Sequence, residues 1–174
     1  MGAITIESFI RRLSLLKDRQ DNAERIGISR QDPMDGVLKA GSDAAKTPRK
    51  AEADCPDVIE KALQEGWLSA EDSYDAGQSL KRQTAARILH EYIRIIKGVK
   101  DLPDISAAEE LKDLYDCRLC VNHIAQVYLR GLMKAKKIPG ISDRGFLLFD
   151  QKGEVTEEEA AGILVRLEAL SCSE

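Results

Sequence analysis

The feature that most constrains the fold of this chain is an internal repeat. When the sequence is shifted by 65 residues, the segment IEKALQEGWL (59–68) aligns with IAQVYLRGLM (124–133), and a glycine meets a glycine. A shift of 75 residues aligns LKRQTAARILHEY (80–92) with VTEEEAAGILVRL (155–167). Each copy therefore predicts a helix that ends at glycine, a loop, and a second helix that carries an alanine pair. One such unit cannot bury its apolar face alone, so we expect the copies to pack on each other.

A third, partial copy lies at the N-terminus. The segment ITIESFIRRL (4–13) aligns with VTEEEAAGIL (155–164), and its apolar residues recur at helical spacing. We therefore predict an amphipathic helix over residues 1–17 that forms part of a third repeat. Three helices that begin near residues 5, 81 and 156 could then form a central bundle. Homodimerisation is the alternative way to complete that bundle.

The rest of the chain divides by composition. Residues 18–53 are polar and interrupted by proline and glycine, which predicts a linker with a short helix around Met34–Ala40. The first clear repeat then covers 54–100 and the second covers 101–170. Within the last loop, a short extended piece is expected at Phe146–Phe149.

Two capping boxes mark predicted helix starts. Ser106 and Glu109 have the S-x-x-E spacing, and they predict a long helical stretch that reaches about Met133. Thr156 and Glu159 have the equivalent T-x-x-E spacing and predict the start of the last helix.

Together these motifs resemble the S-layer homology (SLH) family. Its repeat joins an apolar helix ending in glycine to a loop and a motif like T-R-A-E-A-A. Here ALQEGWL and VYLRGLM match the first half, while residues 80–86 and 155–161 match the second. The resemblance covers 54–170, with Ile4–Leu16 as a fragment. It implies a mainly α fold, with helical repeats packed as a pseudo-threefold helix bundle and short extended loop segments. It also implies attachment to pyruvylated cell-wall polysaccharide.

The resemblance also implies ligand-binding residues. Arg82 matches the arginine of the family motif, with Lys81 and Gln83 beside it, whereas the second copy has Glu157 and the N-terminal fragment has an isoleucine. A carboxylated glycan favours cationic, bidentate donors, and two of the three copies lack them. The resemblance therefore supports the fold more strongly than it supports the wall-binding function. Trp67 is a further candidate contact, with a place at the edge of the core as its alternative.

Cys117, Cys120 and His123 are the candidate metal ligands, because C-x-x-C spacing suits zinc or redox chemistry. On a helix these three residues are spread over about 120° around the axis, so their side chains would not all point at one metal ion. We therefore predict buried structural thiols, and no metal or cofactor. An even count of four cysteines without a signal peptide predicts four thiols. The histidines, His90 and His123, lie in no nucleophile motif, so the sequence predicts no enzyme.

Composition excludes some classes of partner. The net charge of -4 and the 5% aromatic content argue against nucleic-acid binding, and no apolar run is long enough to span a membrane. The N-terminal residues make a poor signal peptide, which predicts a cytoplasmic location, or the cell surface if a signal has been removed. The sequence thus predicts a non-catalytic binding module for a protein partner. The alternatives are a wall-polysaccharide module and a Cys/His metal or redox protein.

Overall fold

The computed structural model describes residues 2–28, 57–138 and 146–170. This part of the chain is mainly helical, as predicted, with six α-helices and one two-stranded antiparallel sheet. The helices are α1 (Ile6–Ile28), α2 (Val58–Gln64), α3 (Ala70–Tyr74), α4 (Arg82–Ile95), α5 (Val121–Leu129) and α6 (Glu157–Ala169). The strands are β1 (Lys136–Ile138) and β2 (Phe146–Leu148), and β2 lies on the predicted extended piece. None of the described helices is both long and apolar enough to cross a membrane.

Three short extended segments meet just before the starts of α1, α4 and α6. The N–H of Ile4 donates to the carbonyl of Val155, that of Val155 to Leu80, and that of Leu80 back to Ile4, with N···O distances of 3.0, 2.9 and 2.8 Å. All three side chains are buried. In the sequence repeat Ile4 and Leu80 both align with Val155, so equivalent residues occupy equivalent places. This backbone ring closes within one chain and does not require a second copy.

The core lies behind the backbone ring, where α4 is the most deeply buried helix. Its inward residues are Ala85, Ala86, Ile88, Leu89, Tyr92 and Ile93. The Tyr92 hydroxyl donates to the carbonyl of Leu13 over 3.3 Å, which joins α4 to α1. Burial of a large apolar side chain contributes about 1.5–3 kcal/mol, so this cluster is a major source of stability.

Local signals in the repeat fix several helix ends. After α2 and α5 the chain turns at Gly66 and Gly131, whose φ angles of +82° and +69° suit glycine. The side chain of Thr156 accepts a hydrogen bond from the N–H of Glu159 over 3.2 Å, which confirms the predicted cap of α6. A helix that the sequence did not predict, α3, begins after Ser69, whose hydroxyl accepts from the N–H of Asp72.

The predicted helical stretch from Ser106 to Met133 is wrong in its first half. Three short 3-10 turns, Ser106–Glu110, Leu114–Asp116 and Arg118–Cys120, precede α5. Ser106 does not cap a helix, because it is the first residue of a 3-10 turn whose N-cap position is Ile105, and its N–H donates to the Asp104 carboxylate. The backbone N–H of Lys112 donates to the carbonyl of Leu147. That bond to the sheet is incompatible with a continuous α-helix.

The N-terminal helix is longer than its apolar pattern predicted. It continues through Ile28, into the first part of the predicted linker at 18–53. Ion pairs from Lys17 to Glu65, and from Asp18 to Lys61 over 3.1 Å, hold this part of α1 against the region of α2. The remainder of the predicted linker, including the helix around Met34–Ala40, lies outside the described residues.

Candidate functional site

Arg82, the main candidate ligand contact, lies inside the protein. Its side chain is 1% exposed, and its Nε and Nη2 each donate over 2.6 Å, to the carbonyls of Phe149 and Lys134 respectively. The remaining nitrogen, Nη1, forms an ion pair with Glu159, and the guanidinium lies 4.9 Å from the ring centroid of Phe149. Burial lowers the pKa of Arg82, while the carboxylates of Asp150 and Asp113 act in the opposite direction. A glycan carboxylate could therefore reach this guanidinium only if protein contacts opened.

The two neighbours of Arg82 lie at the surface or near it. Lys81 is about half exposed and pairs with Glu154 over 3.1 Å. Gln83 is half-buried, and its backbone N–H donates to the carbonyl of Gln151. The structure therefore does not bring the three predicted ligand residues into one open pocket.

Trp67 is buried, in agreement with the core-edge alternative. Its side chain is 1% exposed, and its ring meets that of Tyr92 edge-on with centroids 5.3 Å apart. The indole N–H donates to the Glu65 carboxylate over 2.9 Å. Because a buried indole needs such an acceptor, these contacts explain Trp67 without an external ligand.

The expectation of free thiols is wrong for Cys117 and Cys120, which form a disulfide. They are half-buried at the two ends of a tight turn, with Cα atoms 5.2 Å apart, rather than on a helix interface. Their sulfurs are bonded to each other, so neither offers a thiolate to a metal. The predicted ligand set therefore loses two members, while Cys55 and Cys172 lie outside the described residues.

His123, the third member of that set, meets His90 instead. The two Nδ1 atoms lie 2.8 Å apart, and the Nε2 atom of His90 lies 2.8 Å from Oδ1 of Asp101. Asn122 donates to the other oxygen of Asp101 over 3.0 Å. His90 is on α4 and His123 on α5, so only the packing of these helices brings them together. No spacing in the sequence indicates this pair, so the sequence alone did not predict it.

Electrostatics favour a neutral His123. Burial lowers its pKa, and the nearby His90 lowers it further. Burial alone would raise the pKa of Asp101, but hydrogen bonds from His90 and Asn122 outweigh it, so that the pKa falls. Asp101 is therefore a stable anionic acceptor for the ring N–H of His90.

Glu91 completes a three-residue cluster with the histidines. One carboxylate oxygen of Glu91 and one ring nitrogen from each histidine all lie within 4.8 Å of one another. A cleft of about 240 Å³ opens beside them, and Glu91 and His123 line it together with Trp67, Asp72 and Arg87. We call this the histidine cleft. Chemically, two imidazoles and a carboxylate form a donor set for a borderline metal ion.

A second cleft, also about 240 Å³, lies between β2 and the disulfide turn. We call it the hairpin cleft; its lining includes Gln83, Asp113, Asp116, Cys117, Leu148 and Asp150. Three large apolar side chains on its bordering segments are exposed: Leu119 by 89%, Tyr115 by 61% and Phe146 by 47%. We call these three residues the apolar patch. No pattern in the sequence marks these three residues, because single exposed apolar residues are common on protein surfaces.

The segments that carry the apolar patch are firmly held. The Asp113 carboxylate accepts hydrogen bonds from the backbone N–H groups of Phe149 and Asp150, both over 2.7 Å. The Tyr115 hydroxyl donates to Glu109 over 3.1 Å. A surface held in this way loses little conformational entropy when it binds.

Comparison with protein-family models, curated proteins and solved structures gave no match. The SLH resemblance thus remains a prediction from the motifs.

Proposed function

We propose that this chain is a non-catalytic binding module with an SLH-like, pseudo-threefold core, and that it holds a protein partner. The backbone ring of Ile4, Leu80 and Val155 supports the architecture, because each residue donates one bond and accepts one. Arg82 serves this core rather than a ligand, since its guanidinium is taken up by protein groups. The fold therefore supplies a rigid base for a binding surface elsewhere.

The apolar patch is the observation that carries the proposal. Leu119, Tyr115 and Phe146 are large exposed apolar side chains on the two segments that border the hairpin cleft, and such side chains can serve as anchors for a protein partner. Leu119 stands in the turn closed by the disulfide, and Tyr115 precedes the same turn. Large side chains on a rigid support make effective anchors, and aromatic residues in particular are enriched among interface hot spots.

Charge around the hairpin cleft indicates the chemistry of the partner. Asp116, Asp150 and Lys152 line the cleft, and Lys136 pairs with Asp150 over 2.6 Å. The partner is therefore a protein segment that presents apolar side chains next to polar groups of both charges. Such complementarity raises the association rate and selects the partner, while the apolar contacts supply most of the affinity.

The test is affinity capture from an extract of the source cells with three forms of the full chain. Leu119→Ser changes the apolar patch, and Val165→Ser is the matched control, because Val165 is 65% exposed on a different element, α6. We expect wild type and Val165→Ser to retain a common protein that Leu119→Ser loses. Equal capture by both variants, or its loss in the control alone, would contradict the proposal. Measuring Kd for the captured protein then quantifies the difference.

A further inference from the structure

The His90–His123 contact places two ring nitrogens at one point between α4 and α5. His90 is 3% exposed, so its ring has little freedom to move away. The ring planes are inclined at 63° with centroids 5.0 Å apart, which makes the contact one between ring edges, nitrogen to nitrogen, rather than a stacked pair. Two nitrogens that face each other need either a shared proton or a metal ion.

Asp101 determines which nitrogen of His90 faces His123 with a lone pair. A carboxylate can only accept, so the Nε2–H of His90 donates to it, and the Nδ1 of a neutral ring is left as an acceptor. This arrangement of carboxylate, histidine and open nitrogen is the one that orients histidine ligands in metal sites. Asn122 fixes the carboxylate in turn through its second oxygen.

We propose that His90, His123 and Glu91 bind one divalent transition-metal ion, with Zn²⁺ as the best fit. The ligands are the two Nδ1 atoms and one carboxylate oxygen. Nitrogens bound to tetrahedral zinc lie about 3.3 Å apart, so the 2.8 Å pair has to open by only about half an ångström. For His123 to bind through Nδ1, its proton has to move from Nδ1 to Nε2, so that both imidazoles stay neutral in the bound state.

The competing contact of Glu91 is weak enough to be replaced or retained. Arg94 donates twice to Oε2 of Glu91, from a side chain that is 52% exposed. Exposed ion pairs of this kind contribute little to stability, because solvent screens them. The metal ion can therefore take a carboxylate oxygen at little cost.

The fourth coordination position of the metal ion faces the histidine cleft and is therefore open to solvent. Glu91 and His123 both line that cleft, whereas His90 lies behind them. Structural zinc sites have four protein ligands, whereas three protein ligands leave the fourth position to water or another small ligand. This proposal extends beyond partner binding and does not depend on the apolar patch.

The direct test is calorimetric titration of the metal-free full chain with ZnCl₂ at neutral pH, together with Co²⁺ absorption spectra. We expect one ion per chain and Co²⁺ bands of a tetrahedral site. His123→Gln and Glu91→Gln should each weaken binding by more than about 100-fold, because removing an outer-shell partner alone costs 10–100-fold. Asp101→Asn tests that outer shell and should fall within this smaller range. Both ligand positions are only half-buried, and circular dichroism establishes that the variants fold.

The matched control is Cys117→Ser/Cys120→Ser, which removes the C-x-x-C pair that could bind a metal only if its disulfide were reduced. We expect it to bind zinc as tightly as wild type does, and to give the same Co²⁺ spectrum. The proposal is overturned if wild type binds no ion, or if binding survives either ligand substitution in a folded protein. Loss of binding in the cysteine variant, with binding kept in His123→Gln, likewise overturns it and assigns the metal to the thiols.

Discussion

Replacing Arg82 with alanine tests the role that the structure gives this residue. The change removes two hydrogen bonds and an ion pair at once, and it leaves two carbonyls and the Glu159 carboxylate without their partner. Removing one member of a buried pair costs about 3–5 kcal/mol, because the remaining charge stays desolvated. Since domains are stable by about 5–15 kcal/mol, this is roughly a fifth of the total or more.

Urea unfolding followed by circular dichroism measures the change directly. We expect the midpoint to fall with little change in slope, and Tm to drop by roughly 6–20 °C, given about 2–4 °C per kcal/mol for a chain of this size. Lys81→Ala is the matched control, because its ion pair with Glu154 is about half exposed and contributes about 0–1 kcal/mol. A ligand-binding Arg82 would instead give two variants of similar stability.

A loss below about 1 kcal/mol for Arg82→Ala would refute the reasoning, since a surface pair contributes that much. The double variant Arg82→Met with Glu159→Leu sharpens the test. It removes both charges, so we expect it to be less destabilised than Arg82→Met alone. If the losses caused by Arg82→Met and by Glu159→Leu simply add in the double variant, the two side chains do not interact energetically.

Three further predictions concern the ends of the repeats, the pH dependence and the disulfide. Gly66→Ala and Gly131→Ala should each lower the unfolding free energy by about 1–2 kcal/mol, because alanine is strained at positive φ; wild-type urea midpoints would contradict this. Burial alone would raise the pKa of Glu65, but bonds from Lys17 and Trp67 outweigh it and lower the pKa. Its stabilising contribution is therefore complete above pH 4.5 and lost as pH falls through the lowered value. Glu65→Gln should flatten that acid loss in thermal scans, and an unchanged profile counts against the assignment. Finally, Cys117→Ser/Cys120→Ser should cost no more than about 2 kcal/mol, because the closed loop is short. A larger loss in urea unfolding would show that the turn organises more than itself.

The sequence predicted the elements whose signals are local. Gly66 and Gly131 end helices because positive φ is available to glycine whatever surrounds it. Thr156 caps α6 because its hydroxyl reaches an N–H three residues ahead. The alignment of Ile4, Leu80 and Val155 also indicated a shared position, since similar sequences with similar neighbours adopt similar structure.

Only the tertiary structure decided what the functional groups contact. Arg82 turns inward because carbonyls from distant residues and the Glu159 carboxylate meet at its guanidinium. Lys112 is not in an α-helix, although the sequence pattern predicted one, because its N–H donates to the carbonyl of Leu147 in the sheet. The repeat itself was therefore determined by the sequence. The meeting of His90 with His123 was not, because long-range packing of α4 on α5 creates it and no periodicity within either helix records it.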